Sequence, residues 1–140
     1  MEKTLMFSLK QIIGFLVFVL TLHFLGTFYH WYWTYTWFDI PMHFFGGFWL
    51  GMVYFWIDPK IEILNSWFNK LPGWLVNLLF LLSFAALIGV LWEFFEFVVD
   101  FLIGDTIRFQ GISRDTMGDL FFDLLGGTTV FAIFYGKLNK

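Results

Sequence analysis

Residues 11–29, QIIGFLVFVLTLHFLGTFY, form an apolar run that would cross roughly 28 Å of hydrocarbon as a helix rising about 1.5 Å per residue. Three more such runs follow, and this constrains the chain more than any motif does. A bilayer core has no water for unpaired backbone groups, so each run must satisfy its own N–H and C=O groups as a helix. The composition agrees: 59% of the 140 residues are hydrophobic, 25% aromatic and only 14% charged, far from the soluble norm.

The spacing of breaks predicts an all-α polytopic membrane protein. We expect a single transmembrane domain over residues 1–140, with four transmembrane helices at about 11–29, 39–57, 73–103 and 115–135. Lys3 and Lys10 before the first span imitate a signal peptide, but no small-residue cleavage site follows, and the run continues into the Trp- and Tyr-rich HWYWTYTWF. The first helix is therefore expected to be kept as an anchor. Pro41 suits the first turn of the second span, where a missing N–H costs no helical bond. Gly47 and Gly51 form a GxxxG pair, which reads first as a helix-packing seam. In the break at 58–72, Ile61, Leu64, Phe68 and Leu71 recur at helical spacing beside Lys60 and Lys70, as a short interfacial helix would require.

Basic residues orient the bundle. Lys3, Lys10, Lys60, Lys70, Lys137 and Lys140 fall on one side, and Arg108 and Arg114 on the other. Six against two places both termini in the cytoplasm of a multi-pass cell-membrane protein.

In that topology the outer ends of the second, third and fourth spans are neighbours, and they hold the acids. Asp39 and His43 are four apart; Glu93, Glu96 and Asp100 share one helical arc; Asp115, Asp119 and Asp123 step by four. Each ionised acid near a bilayer centre costs about 2.5–3.5 kcal/mol on insertion scales. Seven carboxylates with only His43, Arg108 and Arg114 nearby cannot all remain charged without a cation or shared protons. The candidate metal ligands are Asp39, His43, Glu93, Glu96, Asp119 and Asp123, an oxygen-rich set with one imidazole that suits a divalent metal such as Mg, Mn, Zn or Fe. Asp115 is also a natural N-cap, and Asp100 a natural interfacial acid. Arg108 and Arg114 read equally as loop residues paired with Asp105 and Asp115. His23, alone in mid-span, reads as a hydrogen-bonded structural residue with no assigned role, and His30 as interfacial.

Several classes drop out. With no cysteine there is no disulfide framework, thiolate nucleophile or Cys-ligated metal site. A net charge of −3 with scattered basic residues leaves no nucleic-acid footprint. No lysine lies inside a span to carry a retinal Schiff base, so packing and membrane belts account for the aromatics.

The segments DIPMHFFGG, WEFFE and FQGISRDTMGDLFFDLLGG resemble the YjdF-like family of bacterial inner-membrane proteins. That family pairs an Asp-x-x-x-His-Phe-x-x-Gly segment with Glu-x-x-Glu, a Gln-Gly turn, Asp-Thr and a following Asp. Asp39, His43, Glu93, Glu96, Gln110, Asp115, Thr116 and Asp119 occupy those places. More loosely, the chain is similar to VanZ-like proteins, associated with glycopeptide resistance. The resemblance implies a shared site and no particular reaction.

The leading functional expectation is a metal-dependent membrane enzyme, open to the outer leaflet, acting on a lipid or lipid-linked envelope substrate. Asp119 would serve as a carboxylate base, and Arg114 or Arg108 would meet an anionic headgroup. Membrane lipid is the expected partner, with a homo-oligomer as a second one. The rivals are a cation or proton transporter and an accessory membrane subunit. Against transport, the inner halves of the spans offer little polarity beyond Asn77, Ser83, Thr128 and Thr129.

Overall fold

The computed structural model describes residues 7–57, 70–103 and 113–138, and these are helical with no strand among them. Helix α1 is Leu9–Phe28, α2 the single turn Trp31–Thr34, α3 Asp39–Ile57, α4 Gly73–Ile103 and α5 Ser113–Leu138. Four of them, all but α2, are long and apolar enough to cross a bilayer. The interfacial helix expected over 58–72 falls outside the described residues except for the turn at 70–72 that leads into α4.

The spans expected from residues 39 and 73 start there, and the other two start two residues early for local reasons. Ser8 caps α1 and Gln11 reaches back to the Ser8 N–H at 2.9 Å, a capping box that starts the helix ahead of the first wholly apolar stretch. Helix α5 begins at Ser113, so Asp115 is not the N-cap; it sits exposed in the first turn, where a carboxylate still favours the helix dipole. Between α1 and α3 the chain turns at His30, whose φ of 59° is left-handed, a region histidine enters more readily than most side chains. His30 itself is exposed, as its reading as interfacial requires.

The heart of the bundle is the α3–α5 pair, which shares its largest interface. Glycines make it possible. A Cβ on Gly47 would collide with the Asp123 carbonyl, and one on Gly126 with the Phe44 carbonyl, while Gly51 lies against Val130. The Gly47/Gly51 pair is thus a packing seam, with the two backbones in near contact. Helix α4 packs on α5 and α3, and α1 on α3.

Away from the acids, Phe55, Leu81 and Val130 are fully buried and form the apolar core with Met52, Tyr54 and Phe131. The outer faces of α1 and α4 stay apolar and exposed, through Val17, Phe24, Leu87, Leu91, Phe94 and Phe101 among others. For a membrane span this is the lipid surface, where exposure of large apolar side chains carries no penalty.

Candidate functional site

Helix geometry puts Asp39 and His43 on one face of α3, and Asp119 and Asp123 on one face of α5. Because the glycine seam draws those helices together, the two faces meet around a single imidazole. His43 Nε2 lies 3.6 Å from Asp39 Oδ1 and 3.9 Å from Asp119 Oδ1, and His43 Nδ1 lies 3.4 Å from Asp123 Oδ2. His43, Asp119 and Asp123 are buried; Asp39 is half-buried at the helix start.

The two sides of the ring differ in kind. Asp123 holds Nδ1 from behind, in a slot that Gly89 leaves open: a Cβ at Gly89 would come within 2.6 Å of Asp123 Oδ2. On the other side, Asp39, His43 and Asp119 each present one ligand atom within 4.8 Å of the others. Ligand atoms about 2.0–2.2 Å from an ion stand no more than about 4.4 Å apart, so this trio would close on one cation with a small inward movement. A carboxylate on the far nitrogen is the arrangement that orients a metal-binding histidine.

The glutamates of α4 divide. Glu93 is 6% exposed, and its Oε1 has no hydrogen-bond partner among the described residues. It lies close enough to Asp39 and Asp119 to interact with them through its charge. Glu96 instead accepts a 2.8 Å bond from the Trp92 indole and lines a neighbouring cavity of about 190 Å³. Asp39, His43 and Asp123 line that cavity too, whereas Asp119 and Glu93 lie off its walls. Asp100 is half-buried and outside the trio. Arg108 and Gln110 fall outside the described residues, and of Arg114 only its place in the first turn of α5 is described.

Two cavity residues were not assigned to the site from the sequence. His23 lines the cavity from α1 and Tyr32 from α2, with 2.9 Å between His23 Nδ1 and the Tyr32 hydroxyl. Gly26, one turn beyond His23, lies directly beneath Phe38 and Tyr32, so the aromatic loop folds back onto α1. Burial, and secondarily the nearby Asp39 and Glu96 carboxylates, push the Tyr32 phenol above its ordinary pKa. The only signal in the sequence was that tyrosine within a run of belt aromatics.

Over its full length, residues 1–140, the chain matches the family described as predicted membrane protein (DUF2238). It belongs to that family. A protein of Thermotoga maritima described as uncharacterized is 36% identical over 113 residues, covering 81% of this chain and 55% of the relative. The chain thus spans little more than half of that relative's length. No solved structure matches.

Proposed function

We propose that this DUF2238 protein binds a divalent metal through Asp39, His43 and Asp119, and uses it to act on a lipid or lipid-linked envelope substrate at the outer leaflet. The observation that carries this reading is charge balance. Asp39, Asp119 and Asp123 surround one imidazole, with a fourth carboxylate, Glu93, buried beside them and one of its oxygens without a hydrogen-bond partner among the described residues. Even a protonated His43 supplies one positive charge, and an unpaired buried carboxylate is costly. A divalent cation held by Asp39, His43 and Asp119 would offset two of those four negative charges and lower the cost of burying Glu93 beside them.

Such a metal would polarise a phosphoryl or carbonyl oxygen. Asp123 would orient His43. Asp119, off the cavity wall, fits better as a ligand than as a base, and Glu96, which lines the cavity and is steadied by Trp92, is the carboxylate placed to take a proton. Arg114 keeps its proposed part in meeting an anionic headgroup. The family match agrees with the YjdF-like resemblance, while nothing in the site depends on the VanZ-like one. The lysine count supports cytoplasmic termini and an outward acid end.

Metal analysis of the purified protein tests the reading. Wild type should carry close to one equivalent of a divalent ion; Asp119→Asn and Glu93→Gln should lose most of it while circular dichroism keeps the helical signal. A metal content unchanged by both substitutions would end the proposal.

A further inference from the structure

The cavity beside the acids is larger than a metal ion and smaller than a lipid. At about 190 Å³ it exceeds the about 150 Å³ of an engineered cavity that holds benzene, so it takes a group of roughly six to eight non-hydrogen atoms. A bare ion would leave most of it empty. Its lining is equally definite in sign: Asp39, Glu96 and Asp123 stand in it, and among the described residues no lysine or arginine does. Besides His43, the rings of His23, Tyr32, Trp49 and Trp92 share the wall with aliphatic side chains.

The lining also has few protons to give. The Trp49 indole N–H donates to the Ile12 carbonyl at 3.1 Å and the Trp92 N–H to Glu96 Oε1 at 2.8 Å, so both are spent within the protein. The His43 nitrogens face Asp39, Asp119 and Asp123. His23 and Tyr32 are bonded to each other, which leaves the uncharged pair a single N–H or O–H for the cavity. Against it stand three carboxylates, each with about four acceptor sites. Gly46 and Gly89, both on the wall, leave Asp123 uncovered: a Cβ at Gly89 would come within 2.6 Å of its Oδ2, and one at Gly46 within 3.7 Å of its Oδ1. A ligand that matches this wall brings N–H donors, positive charge and a short apolar stem.

We propose that the cavity binds a primary ammonium on a short apolar stem, its N–H groups meeting the acids of the wall, Glu96 foremost, and its stem lying among Leu20, Trp49 and Trp92. Aromatic rings beside the charge add to the attraction, and charge-assisted hydrogen bonds set its strength. A free amine and the head of an aminolipid present the same chemistry. The inference rests on the proposed lipid enzyme only in calling this ligand its substrate; the ammonium and the anionic group assigned to Arg114 then belong to one zwitterionic head.

The test is calorimetric titration of the full chain in dodecyl maltoside with hexylammonium chloride, against 1-hexanol, hexanoate and hexyltrimethylammonium, with empty micelles as the blank. Hexylammonium should bind saturably and the other three far more weakly. Glu96→Gln should weaken it by at least about tenfold, the loss of one hydrogen bond to a charged group. Filling the cavity with Leu20→Trp, or from α4 with Ile88→Phe, should abolish it; either variant that keeps its helical signal suffices. Equal binding of any of the three controls, or hexylammonium binding indifferent to Glu96→Gln and to cavity filling, would overturn the proposal. Phosphatidylcholine nanodiscs with and without phosphatidylethanolamine then identify the source: weaker hexylammonium binding in the presence of that lipid supports an aminolipid head, and unchanged binding supports a free amine. Asp119→Asn separates the two claims, because Asp119 lies off the cavity wall. Hexylammonium binding in a protein that never holds metal keeps this inference and sinks the metal site, whereas bound metal without hexylammonium binding does the reverse.

Discussion

The two ends of the same four-helix bundle solve the problem of polar groups in opposite ways. At the end away from the acids, Asn77 accepts from the Tyr54 hydroxyl at 3.1 Å and donates to the Gly73 carbonyl at 2.8 Å. The Ser83, Thr128 and Thr129 hydroxyls each donate to a carbonyl one turn back on their own helix, at 2.7–2.8 Å. At the acid end the His43 ring stands 3.4–3.9 Å from Asp39 on its own helix and from Asp119 and Asp123 on α5, beyond ordinary hydrogen-bond length, and Glu93 Oε1 has no partner among the described residues. One end is finished as protein. The other is arranged around a space, which is what a group supplied from outside would need.

The largest effect should come from breaking the seam that holds the ends in register. Gly47→Leu drives a side chain into the Asp123 backbone, so α3 and α5 must separate at the acid end. Overpacking of this kind costs about 1–3 kcal/mol even where neighbours are side chains, and here the obstacle is main chain. Thermal unfolding in detergent should show a clear loss of stability together with loss of bound metal; retention of both would mean that the ends are not coupled through this interface.

Next in size is Asp123→Asn, which keeps the shape behind His43 and removes the charge. Outer partners of metal-bound histidines are worth about 10–100-fold in affinity, and metal titration should show a weakening in that range while the metal-free protein keeps its melting temperature. A smaller effect belongs to the finished end. Tyr54→Phe removes one interhelical hydrogen bond, worth about 0.6 kcal/mol in membrane bundles, and should leave metal affinity untouched.

What could be read from the sequence follows from the same contrast. The four spans were legible because lipid demands long apolar runs, and the convergence of Asp39, His43, Asp119 and Asp123 followed from helical spacing plus alternating topology. The partition of the six candidate ligands was not legible. Glu93 and Glu96 are three apart on one helix, yet one is sealed in and the other turned to Trp92 and the cavity, a difference set by how α4 sits against α3 and α5. His23 is hydrogen-bonded, as its mid-span place suggests, but its partner Tyr32 and their shared cavity wall were not legible, because their meeting depends on an aromatic loop folding onto Gly26, a tertiary event with no periodicity. The Ser8–Gln11 capping box is a local signal in the sequence that hydropathy does not register.

The smallest predicted effect discriminates best between functions. Ser83, Thr128 and Thr129 were the inner-half side chains, apart from Asn77, that a proton or cation path could use, and each hydroxyl is bonded to its own helix backbone. Bonds of this kind slightly loosen a helix rather than join two, so Ser83→Ala with Thr128→Val should change stability by no more than a few tenths of a kcal/mol, about the size of ordinary surface effects. Metal content and hexylammonium binding should stay at wild-type levels. Sealed proteoliposomes provide the sharper reading: if wild type moves protons or metal ions across the membrane and the double variant does not, the finished end is a conduction path, and the transporter takes the place of the enzyme.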